Sequence, residues 1–136
     1  MTSRAMTEPA FLVLTALVDE PRHGYGIAQE VERLSGGRVH LKIGTLYGVL
    51  DRLAADGWVE ADREEVRQGR LRRYYRLTDE GARALEEEAV RLADNARRAV
   101  ERLRLRQGLR QGSDRGLDRR LDRGPNRGLS QAGGPA

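Results

Sequence analysis

The chain has 136 residues, a length that suits one domain with an appendage. It contains no cysteine and only two histidines, which excludes disulfides, thiol nucleophiles and cysteine-based zinc sites. Its only long apolar run, residues 10–18, is far shorter than the ~20 residues that a membrane span needs. We therefore expect a cytoplasmic protein with no metal, cofactor or membrane partner. The formal net charge of +4 is too small to indicate a nucleic-acid partner by itself.

The charges divide unevenly along the chain. Residues 1–106 contain 19 basic and 18 acidic residues, whereas residues 107–136 contain six arginines and three aspartates. The second segment repeats a unit close to Asp-Arg-Gly-Leu, and its glycines and prolines disfavour helix and strand. We therefore expect residues 107–136 to be a disordered tail. It is either without function or a basic arm that attracts phosphate weakly.

Apolar residues at helical spacing predict three helices, over 8–19, 24–35 and 43–56. Thr7 can cap the first helix, which is almost wholly apolar and should be buried on several sides. Residues 22–26 are interpreted as a turn, in which His23 is a turn or cap residue. The pair Gly36 and Gly37 ends the second helix, and Gly57 caps the third.

The spacing then changes to the alternation that is typical of strands. Strands are predicted over 58–63 and 71–77, with a loop over 64–70, so that the two strands form a hairpin. Trp58 and Tyr75 are expected in the core, and Tyr74 near the surface. Thr78 is expected to cap a final helix over 79–106.

Three helices, a hairpin and a long helix describe a mainly α fold: a winged helix-turn-helix over residues 1–78 with a C-terminal helix over 79–106. The apolar residues of the last helix recur at steps of three and four, which is a heptad seam. The seam predicts a homodimer in which the first helix, through Leu12, also takes part. Alternatively, the last helix packs back on its own domain. The seam residues are Ala82, Leu85, Ala89, Leu92, Ala96, Ala99 and Leu103.

In a helix-turn-helix, the first half of the second helix of the pair, here the third predicted helix, enters the major groove of DNA. Amide groups at the start of that helix can also bind phosphate. The candidate contacts in and around the helix pair are Tyr25, His40, Lys42, Thr45, Tyr47, Gly48 and Arg52.

The hairpin carries the clearest local charge, with five arginines within ten residues and no acid among them: Arg67, Arg70, Arg72, Arg73 and Arg76. In a winged domain the hairpin lies beside the minor groove, which attracts arginine when it is narrow. Arg70 and Arg72 are the strongest candidates, and Arg73 is a further one. The alternative is that these arginines pair with acids of the facing strand, namely Glu60, Asp62, Glu64 and Glu65.

Four segments together resemble the PadR family of bacterial transcriptional regulators: residues 23–27 (His-Gly-Tyr-Gly-Ile), 42–53 (Lys-Ile-Gly-Thr-Leu-Tyr-Gly-Val-Leu-Asp-Arg-Leu), 57–59 (Gly-Trp-Val) and 73–81 (Arg-Tyr-Tyr-Arg-Leu-Thr-Asp-Glu-Gly). The resemblance implies a winged helix-turn-helix homodimer that usually represses transcription and dimerises through its C-terminal helix. A single last helix is similar to the short members of the family. Gly48 stands where the family commonly has proline.

The leading hypothesis is therefore a dimeric, sequence-specific repressor that binds double-stranded DNA. A protein–protein adaptor that has lost DNA binding is the alternative. We expect no enzyme, because no nucleophile–base pair or phosphate loop is present. Some family members bind aromatic or drug-like ligands between subunits. The residues do not indicate which inducer, if any, this chain binds.

Overall fold

The computed structural model of the chain describes residues 6–121, with side chains described as far as Gly112. The described residues form two compact units, which divide between Arg91 and Leu92. The order of elements confirms the predicted winged helix-turn-helix with a long final helix. The elements are α1 (Glu8–Ala16), β1 (Arg22–His23), α2 (Gly24–Leu34), α3 (Ile43–Ala55), β2 (Val59–Arg67), β3 (Arg70–Leu77) and α4 (Asp79–Leu121).

Helix α1 begins at a side-chain cap. The Thr7 hydroxyl accepts a hydrogen bond from the Ala10 amide at 3.2 Å, as the sequence predicts. The helix ends at Ala16 rather than at residue 19. Its last turn tightens through a bond from the Leu17 amide to the Leu14 carbonyl, and Arg22 Nε donates to the Ala16 carbonyl at 2.8 Å.

The core lies between α1, α2 and α3. Its central side chains are at most 2% exposed: Val13, Leu14, Ile27, Val31, Leu46, Leu50 and Leu53. The three leucines of α3 share one face, which confirms the predicted helical spacing. Because that face is buried, the opposite face of α3 is presented at the surface.

The connector between α2 and α3 is held at both ends. Gly36 and Gly37 have φ values of 65° and 83°, which side-chain-bearing residues rarely adopt. Leu41 is 8% exposed, and Arg38 forms an ion pair with Glu8 at the start of α1. These contacts fix where α3 begins.

The hairpin is longer than predicted, and its loop is shorter. Residues 64–67 belong to β2, and only Gln68 and Gly69, with φ values of 53° and 77°, form the turn. The prediction of a loop over 64–70 is therefore wrong. The ladder continues through this polar segment, where Glu64 lies opposite Arg73 and Glu65 opposite Arg72, and only the first of these pairs forms an ion pair.

A third strand was not predicted. Arg22 and His23, interpreted as part of a turn, form β1, which pairs antiparallel with β3 in the strand order β1-β3-β2. A two-residue strand has no periodicity that could reveal it. Its pairing of Arg22 with Tyr75 and His23 with Tyr74 joins the start of α2 to the hairpin.

Helix α4 begins in contact with the backbone that follows α3. The Thr78 hydroxyl donates to the Gly57 carbonyl at 2.6 Å and accepts from the Gly81 amide at 2.9 Å, so Thr78 is the predicted cap. A Cβ atom at Gly81 would lie 2.1 Å from the Trp58 carbonyl oxygen. Only glycine allows this approach of the two backbones.

Helix α4 continues to Leu121, although the composition favours a helix that ends near 106 and a disordered segment from 107. Isolated glycines such as Gly108 and Gly112 cost a helix only about 1 kcal/mol each. The leucine, glutamine and arginine residues between them are good helix formers. Residues 122–136, the rest of the expected tail, lie outside the described residues.

Candidate nucleic-acid interface

A cleft of about 460 Å³ opens between the starts of α2 and α3 and the strand β3. It contains three arginines, one histidine and two tyrosines, and none of its lining residues is acidic. The cleft exists because β1 holds the start of α2 beside β3. Its lining residues are His23, Gly24, Tyr25, Ile43, Tyr47, Arg70, Leu71, Arg72 and Arg73.

Gly24 and Tyr47 connect the two helices at the base of the cleft. A Cβ atom at Gly24 would lie 2.7 Å from the Tyr47 hydroxyl oxygen, so that hydroxyl occupies the space a side chain would need. Tyr47 is still 38% exposed, and Tyr25, in the first turn of α2, is 64% exposed. Both side chains are therefore partly exposed at the cleft, and their contact with DNA stays a prediction.

The first half of α3 presents an open surface. Lys42 precedes the helix without a side-chain capping bond, and both Thr45 and Gly48 are exposed. A Cβ atom at Gly44 or Gly48 would meet nothing within 4 Å. A nucleic-acid backbone or base edge could thus approach this face closely.

Besides Lys42, Thr45 and Gly48 of the open α3 surface, two further candidate contacts, His40 and Arg52, lie outside the cleft lining. His40 Nδ1 is 3.0 Å from Glu32 Oε1, so a carboxylate stands beside this imidazole. Arg52 borders a separate small hollow with Thr7, Asp56 and Trp58. The structure does not bring either residue to the arginines of the hairpin.

Pairing with acids separates the hairpin arginines into two groups. Arg67 is 3.7 Å from Glu65, Arg73 is 3.3 Å from Glu64, and Arg76 pairs with both Glu60 and Asp62. The hydrogen bond to Glu60, and to a smaller extent the one to Asp62, raises the pKa of Arg76.

The second group is Arg70 and Arg72, neither of which forms an ion pair with any described residue. Arg70 is exposed at the first position of β3, directly after the turn, whereas Arg72 is half-buried. The interpretation that the hairpin arginines pair with acids therefore holds for three of them, and DNA contact by Arg70 and Arg72 stays a prediction. The acids neutralise three arginines and leave the two strongest candidates for DNA contact.

Tyr74 is buried, at 9% exposure, and the prediction that it lies near the surface is wrong. The His23 ring approaches it edge-on, with the ring centroids 5.3 Å apart. The Arg63 guanidinium carbon lies 4.0 Å from the centre of the Tyr74 ring. Neighbours from β1 and β2 thus cover a side chain that the alternation of β3 alone assigns to the exposed face.

His23 is the residue with a polar side chain in the cleft lining that sequence reasoning left out of the site. As predicted, it caps α2, since Nδ1 accepts from the Gly26 amide at 3.0 Å. Its Nε2 lies 3.2 Å from Arg72 Nη1. Burial, and then the charge of Arg72, lower the pKa of His23 below its ordinary value of 6.5. The imidazole is therefore neutral at physiological pH.

The predicted seam residues differ in their surroundings. Leu85 is 9% exposed and belongs to the core of the first unit, against which Leu12 also packs. Ala89 is half-buried, and Ala82 is exposed. In the second unit Leu92 is 42% and Leu103 is 56% exposed, and Ala96 and Ala99 between them are also exposed.

Helices α1–α3 around one core, with the β2–β3 hairpin beside the start of α3, define a winged helix-turn-helix protein. Residues 13–87 match the model of the "Transcriptional regulator PadR-like family". The chain belongs to this family of transcriptional regulators, which confirms the resemblance of its motifs.

Particular relatives agree with this assignment. The transcriptional regulator Rv3488 of Mycobacterium tuberculosis is 41% identical over 85 residues, which are 62% of this chain and 76% of that protein. The structure of a PadR-like transcription factor from Bacteroides fragilis is 29% identical with a TM-score of 0.57, covering 66% of this chain and 84% of that one.

A third relative shares the fold at lower identity. Bacillus subtilis PadR, solved in complex with operator DNA, is 23% identical with a TM-score of 0.51, covering 57% of this chain and 44% of that one. Within residues 6–121, no helix of the present chain is both long and apolar enough to cross a membrane.

Proposed function

We propose that the chain is a homodimeric repressor that binds specific sites on double-stranded DNA in the cytoplasm. In this proposal the first half of α3 enters the major groove and the hairpin lies at the minor groove, with Arg70 beside the turn. The observation that carries the proposal is the pair Arg70 and Arg72. They lack acidic partners among the described residues and line the same cleft as Tyr47 of α3.

The positive charge available to DNA is local to the hairpin. The charge total hides these two arginines because most other basic side chains of the first unit stand beside acids. A phosphate contact made by arginine releases counterions and makes the affinity fall as salt rises. The solved complex of Bacillus subtilis PadR with operator DNA supports DNA as the partner, since that protein shares the fold.

Dimerisation is proposed through α4. Leucines exposed at heptad spacing, with alanines between them, suit close packing against a second copy of the same helix. A symmetric dimer would place two copies of α3 on two half-sites about one helical turn apart. Operator DNA for such a protein should therefore contain an inverted repeat.

An electrophoretic mobility shift tests the proposal, with DNA from directly upstream of the gene for this chain as probe. We expect a shifted complex that an unrelated duplex competes for poorly. The absence of a shift at low salt would contradict DNA binding. Loss of affinity on changing Arg70 and Arg72 to Ala would separate a repressor from an adaptor that does not use DNA.

The repressor role needs a separate readout. A promoter from the same upstream region, fused to a reporter, should give more signal when the gene for this chain is deleted and less when it is restored. A lower signal on deletion would identify an activator instead.

A further inference from the structure

The protonation of His23 follows from its capping bond. Nδ1 accepts a hydrogen bond from the Gly26 amide at 3.0 Å, so this nitrogen carries no proton. A neutral imidazole has one N–H group. The proton therefore resides on Nε2, which makes Nε2 a donor.

The neighbour of Nε2 is also a donor. Arg72 Nη1 lies 3.2 Å away, and a guanidinium group has no acceptor. Two N–H donors thus stand side by side, and Arg72 forms no ion pair with any described residue. The two groups therefore do not hydrogen-bond to each other. Both N–H groups remain available to an acceptor on a third group.

The surroundings determine which group that is. The cleft on which both side chains open also contains Arg70, Arg73 and two tyrosines, and no acid lines it. The ligand that satisfies two adjacent donors in a basic cleft is an anionic oxygen. The open start of α3, proposed to enter the major groove, borders the same cleft through Ile43.

We propose that His23 Nε2 and Arg72 jointly bind one non-bridging oxygen of a DNA phosphodiester, seated in the cleft between the hairpin and the starts of α2 and α3. This inference rests on the proposed DNA binding and adds His23, a neutral donor, to the interface. It also assigns Arg72 to a contact with the DNA backbone. Arg70, beside the turn, is still proposed to lie at the minor groove.

Two substitutions test the pair. His23→Ser keeps an oxygen that can cap α2 and removes the donor in the cleft. Arg72→Gln removes the charged donor. Arg76→Gln is the matched control, because it makes the same charge change in the same strand at a residue that already pairs with Glu60. Affinity is measured by fluorescence anisotropy at pH 8, with the upstream DNA and with an unrelated duplex.

We expect His23→Ser and Arg72→Gln each to weaken binding roughly tenfold on both duplexes, because a phosphate contact is independent of sequence. Arg72→Gln should lower the slope of log affinity against log salt by about one, and His23→Ser should leave the slope unchanged. The double variant should lose less binding free energy than the two single variants lose together, since both donors share one oxygen. Unchanged affinity for His23→Ser would overturn the inference.

A second measurement leaves His23 and Arg72 unsubstituted and tests the inference if His23→Ser fails to fold. The Nε2–H resonance of His23 is followed by ¹⁵N NMR and assigned by comparison with His40→Gln. It should shift on addition of stoichiometric duplex and stay in place with inorganic phosphate at the same concentration. An unmoved resonance with bound duplex, or an equal shift with inorganic phosphate, would overturn the inference.

The experiments distinguish a failure of the proposed phosphate site from a failure of the proposed DNA binding. If the unsubstituted chain binds the upstream DNA while His23→Ser binds it equally well, only the phosphate site is wrong. If the unsubstituted chain binds neither duplex at low salt, both the proposed function and the phosphate site are wrong.

Discussion

The two units of the chain differ in how their apolar residues are used. In the first unit, the leucines of α3 are at most 2% exposed, and glycines allow close backbone contacts. From Leu92 onward, the described leucines of α4 are 42–76% exposed. The first unit packs its central apolar residues into a core of its own, whereas the described leucines of the second unit lie at the surface, as at an interaction site.

The same substitution should have opposite effects in the two units. At Gly81, a Cβ atom would collide with the Trp58 carbonyl oxygen, so Gly81→Ala should lower the free energy of unfolding by about 3 kcal/mol. At Gly108, a Cβ atom meets nothing within 4 Å, and Gly108→Ala should stabilise the helix by up to about 1 kcal/mol. Urea unfolding followed by circular dichroism measures both. Equal effects on the free energy of unfolding would show that the two glycines have similar surroundings.

The proposed interface of the second unit can be tested by charge. Leu103→Arg places a charge in the heptad seam and should raise the dimer dissociation constant at least about tenfold, because a buried unpaired charge is costly. Leu109→Arg makes the same change outside the seam, at a residue that is 76% exposed, and should leave the dimer intact. Analytical ultracentrifugation at micromolar concentration distinguishes them. A monomeric unsubstituted chain would contradict dimerisation.

Within the first unit, DNA binding should depend on the unpaired arginines and not on the paired ones. Changing Arg70 and Arg72 together to Ala should lower DNA affinity roughly tenfold or more and reduce its salt dependence, whereas Arg76→Ala should change affinity little. The reason is that Arg76 already pairs with Glu60 and Asp62. Similar losses for both variants would show that the total charge of the hairpin matters and the pairing does not.

The smallest expected effect concerns pH. Because the pKa of His23 is lowered in the folded chain, its neutral cap stabilises the fold fully above the ordinary value of 6.5 and progressively less as pH falls below it. Protonation removes the acceptor of the Gly26 amide and adds a cation beside Arg72. The midpoint of thermal unfolding should therefore fall less between pH 7.5 and about 5.5 in His23→Ser than in the unsubstituted chain. Identical pH profiles would contradict this linkage.

Local signals predict where the helices of this chain begin, and they predict the ends of α1 and α4 poorly. Thr7 and Thr78 cap the helices that they precede, and the leucines of α3 occupy one buried face. Both signals act over three or four residues, so they are readable in sequence. The boundaries of the hairpin were not readable in sequence, because cross-strand charge pairs such as Glu64 with Arg73 decide them.

The site depends more on distant contacts. The arginine cluster and the open start of α3 were predictable from composition and spacing. The contact of His23 with Arg72 joins residues 49 positions apart through β1, a strand too short to predict. The burial of Tyr74 has the same origin, since residues of β1 and β2 lie against it.

A DNase I footprint on DNA from directly upstream of its gene tests whether the chain binds DNA as a symmetric dimer. We expect protection of two inverted half-sites with centres about one helical turn apart, and we expect the protection to be lost when Arg70 and Arg72 are both changed to Ala. No protection at low salt, or protection that the double substitution leaves unchanged, would contradict this expectation.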